Sequence, residues 1–427
     1  MKKIILLLCA GVFTLAGLYL LFFEGDMDDL GKVFHREEKE DIDKEREDFV
    51  FEPMEIEELD NLSSAKRDFS FNIFNEIADT KENAFISPYS IHTALMLAYI
   101  GADENTKREM RDLLELEGIE EDIEAQALSL KRYLEDVSKE TEVSIANAFF
   151  LREGIPFLES YKRDGENYFE AKIEKLPEEG ASINKWVREE TREKIEEIID
   201  DGPIPADVIA YLINAIYFKG VWEIEFDKEE TKERIFYGER EDYVDMMENK
   251  DDYLYYKGDD LDAIKLEYKD GDYLFYAFVP VENSSLDNFY ETLSREKIDE
   301  IKRDMRRGEA TLRMPKFTIE DKYKLKNPLT SLGMVDAFNM GDANFSKMAD
   351  IDALGENIYI GEVLHKSFIE VDEEGTEAAA VTAIEMRVTS APIDPIVIEF
   401  NRPFFFIIEE KETETILFMG HLTDPFN

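Results

Sequence analysis

With 427 residues and a single cysteine, Cys9, the chain forms no intrachain disulfide, and its stability rests on packing. Ninety-nine acidic residues against 50 basic ones give a formal charge of −49, which repels nucleic acid and anionic lipid and excludes both as partners. Apolar residues make up 44%, with 30 Phe and 19 Tyr, ample for a large core.

From the N-terminus, residues 4–23 are almost continuously apolar, with Lys2 and Lys3 before them and Glu24, Asp26, Asp28 and Asp29 after. A stretch of this length reaches across a bilayer, and lysines ahead of it keep that end in the cytoplasm. An uncleaved anchor at 1–23 is expected; a cleaved signal peptide is the alternative. Cleavage after Ala16 would leave Leu18 to Phe23 exposed. Leu8 stands before Cys9 where a lipoprotein signal needs a small residue, so lipidation is not expected. Either reading makes the protein extracellular, secreted or held on the outer face of the cytoplasmic membrane, with residues 4–23 as its only membrane contact. Residues 24–61 carry 17 acidic and five basic residues and read as an acidic, flexible tether. Residues 62–427 show no further change of composition and read as one domain.

Within that domain, enzyme chemistry is hard to place. The histidines are His35, His92, His365 and His421. There is no G-x-S-x-G, no H-E-x-x-H, no Cys/His cluster and no phosphate-binding glycine loop. Neither an enzyme nor a metal or cofactor is expected.

The segment Glu373 to Ser390 is the most informative. After Gly375 the even positions Thr376, Ala378, Ala380, Thr382, Ile384, Met386 and Val388 are small or apolar, while odd positions include Glu377, Glu385 and Arg387. That is the period-2 pattern of a half-buried strand. Pro392 and Pro395 follow at once and belong to an exposed loop. A segment coded for both states reads as a conformational switch.

Several motifs in order carry a resemblance to one family. They are Phe71-Asn72-Ile73-Phe74, Phe85-Ile86-Ser87-Pro88-Tyr89-Ser90-Ile91, Ile145-Ala146-Asn147-Ala148-Phe149-Phe150 and Leu212-Ile213-Asn214-Ala215-Ile216-Tyr217-Phe218-Lys219-Gly220-Val221-Trp222. His365-Lys366-Ser367-Phe368-Ile369-Glu370-Val371, Asn401-Arg402-Pro403-Phe404 and Phe418-Met419-Gly420 complete the set. Over residues 62–427 the chain resembles the serpins. Ile183-Asn184-Lys185-Trp186-Val187 matches the family's helix across the large sheet.

The resemblance implies an α+β fold with three β-sheets, about eight or nine helices and an exposed reactive-centre loop at about 373–395. It implies a loop hinge at Glu373, Glu374, Gly375, Thr376, Glu377, Ala378, Ala379, Ala380, Val381 and Thr382. It also implies a polar cluster of Ser87, Ser90, Asn214 and His365 beneath the sheet, and Trp222 where the loop enters. The activity implied is suicide inhibition of a serine protease by a monomer. The bait bond is cut, an acyl-enzyme forms, and the freed loop inserts as a central strand. Gly375 permits the bend, and no proline or charge occupies an even position from 376 to 384, which favours an inhibitory member.

Family spacing puts the bait bond at Thr389–Ser390, suited to subtilisin-like or elastase-like proteases. Arg387–Val388, suited to trypsin-like proteases, is the alternative, and Met386 would suit a chymotrypsin-like one. A non-inhibitory binding protein at the cell surface and an inhibitor of a cysteine protease are the other functional classes. Two departures from the family are Glu193, where glycine is common, and Asp424, where asparagine is common.

Overall fold

The folded chain starts ahead of the expected boundary at residue 62. In the computed structural model, which describes residue 49 and residues 51–155, 157–205, 208–350, 358–376 and 396–426, Leu59 is already buried. Met54 donates its backbone N–H to Ser129 Oγ at 3.0 Å. Residues 1–48, with the apolar segment and most of the acidic tether, lie outside the described residues. Among the described residues no helix is long and apolar enough to cross a membrane.

Helix α1 (Asp60–Ile77) buries a stripe that includes Leu62, Phe69 and Ile73, and strand β1 (Ala84–Ile86) follows. Helix α2 (Pro88–Tyr99) is buried along its whole length and is apolar nearly all round, which suits the centre of a core. Its first turn is set by Ser87, whose Oγ accepts from the Ser90 N–H, and by Pro88, whose missing N–H has no partner to lose there. Helices α3 (Glu104–Leu113) and α4 (Ile123–Asp136) lead to strand β2 (Glu142–Leu151). Helix α5 (Glu159–Tyr168), strand β3 (Lys172–Lys175), helix α6 (Ala181–Glu190) and strand β4 (Ala210–Val221) come next. Strands β5 (Lys232–Tyr237), β6 (Glu241–Lys257), β7 (Leu261–Glu267) and β8 (Tyr273–Pro280) pair antiparallel in succession. Serines cap helices α7 (Leu286–Tyr290) and α8 (Arg295–Asp304). The chain ends with β9 (Arg306–Pro315), β10 (Phe317–Lys324), α9 (Lys326–Ser331), β11 (Glu362–Val371), β12 (Gly375–Thr376), β13 (Ile396–Glu399), β14 (Phe404–Glu410) and β15 (Ile416–Leu422).

Among the described residues the strands form two hydrogen-bonded sheets. One runs β10-β11-β12-β4-β2-β3; the other runs β1-β15-β14-β8-β7-β6-β9-β13 with β5 on β6. The resemblance implies three sheets, whereas in hydrogen bonding the described strands join into two. The reason is β6, which is 17 residues long: Met246–Tyr255 pairs with β9 and Leu254–Lys257 with β7.

The central strands β2 and β4 of the six-stranded sheet are buried on both faces, as their mostly apolar sequences require, while β10 at one edge alternates buried and exposed residues. Ala146, Ala148 and Phe150 of β2, Ile213 and Ala215 of β4 and Leu364 of β11 pack under Ile183, Trp186 and Val187 of α6. The alternate residues Ile145, Phe149, Leu212, Ile216 and Val363 face the main core with α1 and α2. Helix α6 thus lies on the large sheet, as the sequence motif implied.

Candidate functional site

The six-stranded sheet is parted at one end. Strands β11 and β4 pair in parallel from Glu362–Tyr211 to His365–Asn214, and no register joins them beyond. At the far end of the gap sits β12, antiparallel to both: Thr376 lies opposite Val371 of β11 and Gly220 of β4, and Gly375 opposite Val221. The first residues of the switch segment are therefore already in the sheet.

Local chemistry fixes this seat. The Asp372 carboxylate accepts from the N–H groups of Glu374 and Gly375 at 2.9 and 3.2 Å, and the Asp372 N–H donates to the Gly375 carbonyl at 3.0 Å. A Cβ on Gly375 would stand 2.1 Å from the Gly220 carbonyl oxygen, so the close approach of the two backbones requires glycine. Trp222 is buried and stacks on Tyr268, ring centroids 4.6 Å apart. Its indole N–H donates to the Asp372 carbonyl at 3.0 Å and its backbone N–H to the Glu374 carbonyl at 2.9 Å. Tyr268 and Thr376 share a hydroxyl–hydroxyl hydrogen bond of 2.7 Å. Trp222 thus stands where the loop meets the sheet.

The two hinge carboxylates are held as well. Glu373 pairs with Lys316 at 2.9 Å and accepts from Thr231 Oγ1 at 2.7 Å; Glu374 pairs with Lys228. Burial pushes the Glu373 carboxyl up, but the hydrogen bonds from Lys316 and Thr231 outweigh it and hold it below its ordinary value. Residues 377–395 lie outside the described residues, and with them the rest of the hinge (Glu377, Ala378, Ala379, Ala380, Val381, Thr382) and both candidate bait bonds, Thr389–Ser390 and Arg387–Val388.

Beneath the gap, the polar residues named from sequence are brought together in part. Ser87, Ser90, Asn214 and His365 are all buried. The Ser87 N–H donates to His365 Nε2 at 3.0 Å, and Ser87 Oγ accepts from the Ser90 N–H at 3.2 Å. Asn214 is opposite His365 in the parallel register, but its side chain donates elsewhere, to Asn147 Oδ1 at 2.9 Å. Among the described residues His365 Nδ1, Asn214 Oδ1 and Ser90 Oγ have no hydrogen-bond partner. Burial alone pulls the His365 imidazole down to about 3, so it is neutral at physiological pH. With Nε2 accepting, the proton sits on Nδ1.

Asn147 was missed by sequence reasoning. It is legible as a polar residue on the core face of an otherwise apolar strand. Tyr268, Lys228, Thr231 and Lys316 carried no local signal, since each meets the hinge from far along the chain, the first three across more than 100 residues. Both departures have local consequences. Glu193 has φ +64°, a left-handed conformation that favours glycine. Asp424 closes the C-terminal turn by accepting from the Phe426 N–H at 3.0 Å.

The fold and the hinge define a class: α+β proteins in which an excursion of the chain begins as a short strand between two strands of the main sheet. The family model described as serpin (serine protease inhibitor) matches residues 64–425, and the chain belongs to the serpin family. It is 34% identical over 395 residues to Serpin B3 of Homo sapiens, covering 86% of this chain and all of that one. It is 33% identical over 387 residues to a leukocyte elastase inhibitor of Xenopus laevis, covering 86% and 100%. Among solved structures it is similar to the thermophilic serpin tengpin in its native state. The TM-score is 0.78 at 30% identity, over 88% of this chain and 96% of that one. Members of the family are mostly protease inhibitors and not enzymes.

Proposed function

We propose that the chain is a suicide-substrate inhibitor of serine proteases. The carrying observation is the seat of Gly375 and Thr376 between β11 and β4. A protease serine attacks the bait carbonyl, the peptide bond breaks, the new amine leaves with a proton, and an ester links loop and protease. The freed loop then extends β12 down the gap, carrying the protease away from the hinge before the ester hydrolyses.

The register supports this extension. Thr376 is opposite Val371 and Gly220 and faces the core, so the even residues from Ala378 to Val388 would face the core too. These are the small and apolar positions of the sequence code. The same register carries Thr382 to a place between His365 and Asn214. Its hydroxyl would accept from His365 Nδ1–H and donate to Asn214 Oδ1, two of the three atoms without partners in this cluster. The family resemblance and the elastase inhibitor among the relatives favour an elastase-like or subtilisin-like target and cleavage at Thr389–Ser390. Mixing residues 53–427 with elastase, subtilisin, chymotrypsin and trypsin tests the reading. A covalent adduct surviving boiling in detergent is expected, with a released C-terminal peptide beginning at Ser390. Cleavage of the chain with full protease activity remaining would reject inhibition of these enzymes.

A further inference from the structure

Three Asn-x-Ser triplets, the acceptor pattern for N-linked sugar, occur in the chain: Asn61-Leu62-Ser63, Asn283-Ser284-Ser285 and Asn344-Phe345-Ser346. The fold separates them. Asn61 is in the first turn of α1, and its serine, Ser63, is buried with its N–H donating to the Leu59 carbonyl at 2.9 Å. Asn344 is held from three sides. Its N–H donates to Thr106 Oγ1 at 2.9 Å, its side-chain amide donates to Glu104 at 3.2 Å, and its amide oxygen accepts from the Ser346 N–H at 3.1 Å. A transferase must reach both the amide and the hydroxyl two residues on, and neither of these triplets offers both.

Asn283 is different. It takes the third position of the turn between β8 and α7, which the Ser284 N–H closes by donating to the Val281 carbonyl at 2.8 Å. Asn283 and Ser285 are both exposed, and the Asn283 side chain makes no hydrogen bond among the described residues. Ser285 Oγ accepts from the Asn288 N–H at 3.2 Å, a single cap on a five-residue helix that is readily given up. Beside the turn lies a groove of about 500 Å³, lined by Asn283 itself and by Asp259, Asp260, Asn288, Phe289 and Lys297. Asp259 and Asp260 are exposed and in no ion pair among the described residues, and Phe289 is a buried, apolar floor. Sugar hydroxyls donate to such carboxylates and accept from an amide or an ammonium group.

We infer that Asn283 is an N-glycosylation acceptor whose first sugar seats in this groove. The inference rests on the external placement expected from residues 4–23 and not on inhibition. The donor is a lipid-diphosphate-linked oligosaccharide, brought by a membrane oligosaccharyltransferase. Asn283 Nδ2 attacks C1 of the first sugar, and the C1–O bond to phosphate breaks. The lipid diphosphate leaves with that electron pair, and the amide releases one proton as the C1–N bond forms. The turn follows β8 of the nine-stranded sheet, so the sugar stands on a different sheet from the gap between β11 and β4.

The test takes the full chain from its own cells and medium, after a membrane-impermeant lysine reagent has shown on intact cells which side the domain occupies. Peptide mass mapping should find sugar on the peptide that holds Asn283, with Asn61 and Asn344 bare. The sugar should be lost in Asn283→Gln and in Ser285→Ala, and kept in Ser285→Thr, which retains the hydroxyl. Amide exchange over residues 288–292 should be about tenfold slower in the glycosylated chain than in Asn283→Gln. A bare Asn283, a domain enclosed within the cell, or sugar on Asn61 or Asn344 in its place would overturn the acceptor. Equal exchange in the two forms would overturn the seat. Protease trapping should be the same with and without the sugar, so its absence from every form counts against the inhibitor reading alone.

Discussion

His365 shows how one buried group can report on the parted sheet. Its folded-state value of about 3 lies below the ordinary histidine value near 6.5, so the unfolded chain binds a proton that the folded chain refuses. Stability from this residue is fully present above pH 6.5 and is lost as pH falls towards 3. Between pH 7 and pH 4 the loss is about 3 kcal/mol. His92 and His421 are pulled down too, so the effect is read as a difference: His365→Gln should flatten the fall in unfolding free energy over that range. An unchanged slope would mean that His365 does not carry the effect. Thr382 tests the same place from the loop. Thr382→Val removes the hydroxyl at nearly constant shape. It should leave the denaturation of the intact chain unaltered but destabilise the loop-cleaved form by about 1–3 kcal/mol, since two buried polar atoms then stay unpaired. Equal stability of both cleaved forms would reject the register.

At the scale of elements, an ion ladder ties the strand after the loop to the hairpin beyond it. Arg234, Glu248, Arg313 and Glu399 come from β5, β6, β9 and β13 in turn, with Glu248 receiving Arg234 and Arg313, each at 2.6 Å. Burial raises the Glu248 carboxyl, but the Arg313 hydrogen bond and the charges of Arg313 and Arg234 bring it below its ordinary value. Glu248→Gln would leave the Arg234 guanidinium without its carboxylate and Arg313 with Glu399 alone. A loss of about 1–3 kcal/mol is expected, with faster amide exchange in β13. Unchanged exchange would show that the backbone ladder alone holds β13. The sequence made some of these elements readable and others not. The switch segment was legible because period-2 burial and closing prolines conflict within one short stretch, and the parity read from it agrees with Thr376 facing the core. The capping of α2 was legible because Ser87-Pro88 is a local signal. The joining of two expected sheets by β6 was not, since a long strand with polar residues in its middle looks like two. The clamps on Glu373 and Glu374 were hidden for a different reason: their lysines are distant in sequence, and a surplus of acids leaves no single pair distinctive.

At the scale of the molecule, the described chain holds a sheet with room for a strand and a loop whose root is already in it. Filling the gap would satisfy β11 and β4 along their length, adding on the order of ten ladder hydrogen bonds at about 1 kcal/mol each. On the inhibitor reading proposed above, the intact form is held by kinetics: Trp222, Tyr268 and the Asp372 turn fix the root, and the chain is tied again at β13 from Ile396. On the same reading, the −49 charge would bear on the choice of protease and not on insertion, and it repels nucleic acid and anionic membranes. The most direct measurement compares the thermal unfolding of the intact chain with that of the chain cut once between residues 384 and 390. The account predicts that the cut form melts higher, by about 20 °C. A cut form melting at or below the intact one would contradict insertion, and with it the inhibitory mechanism.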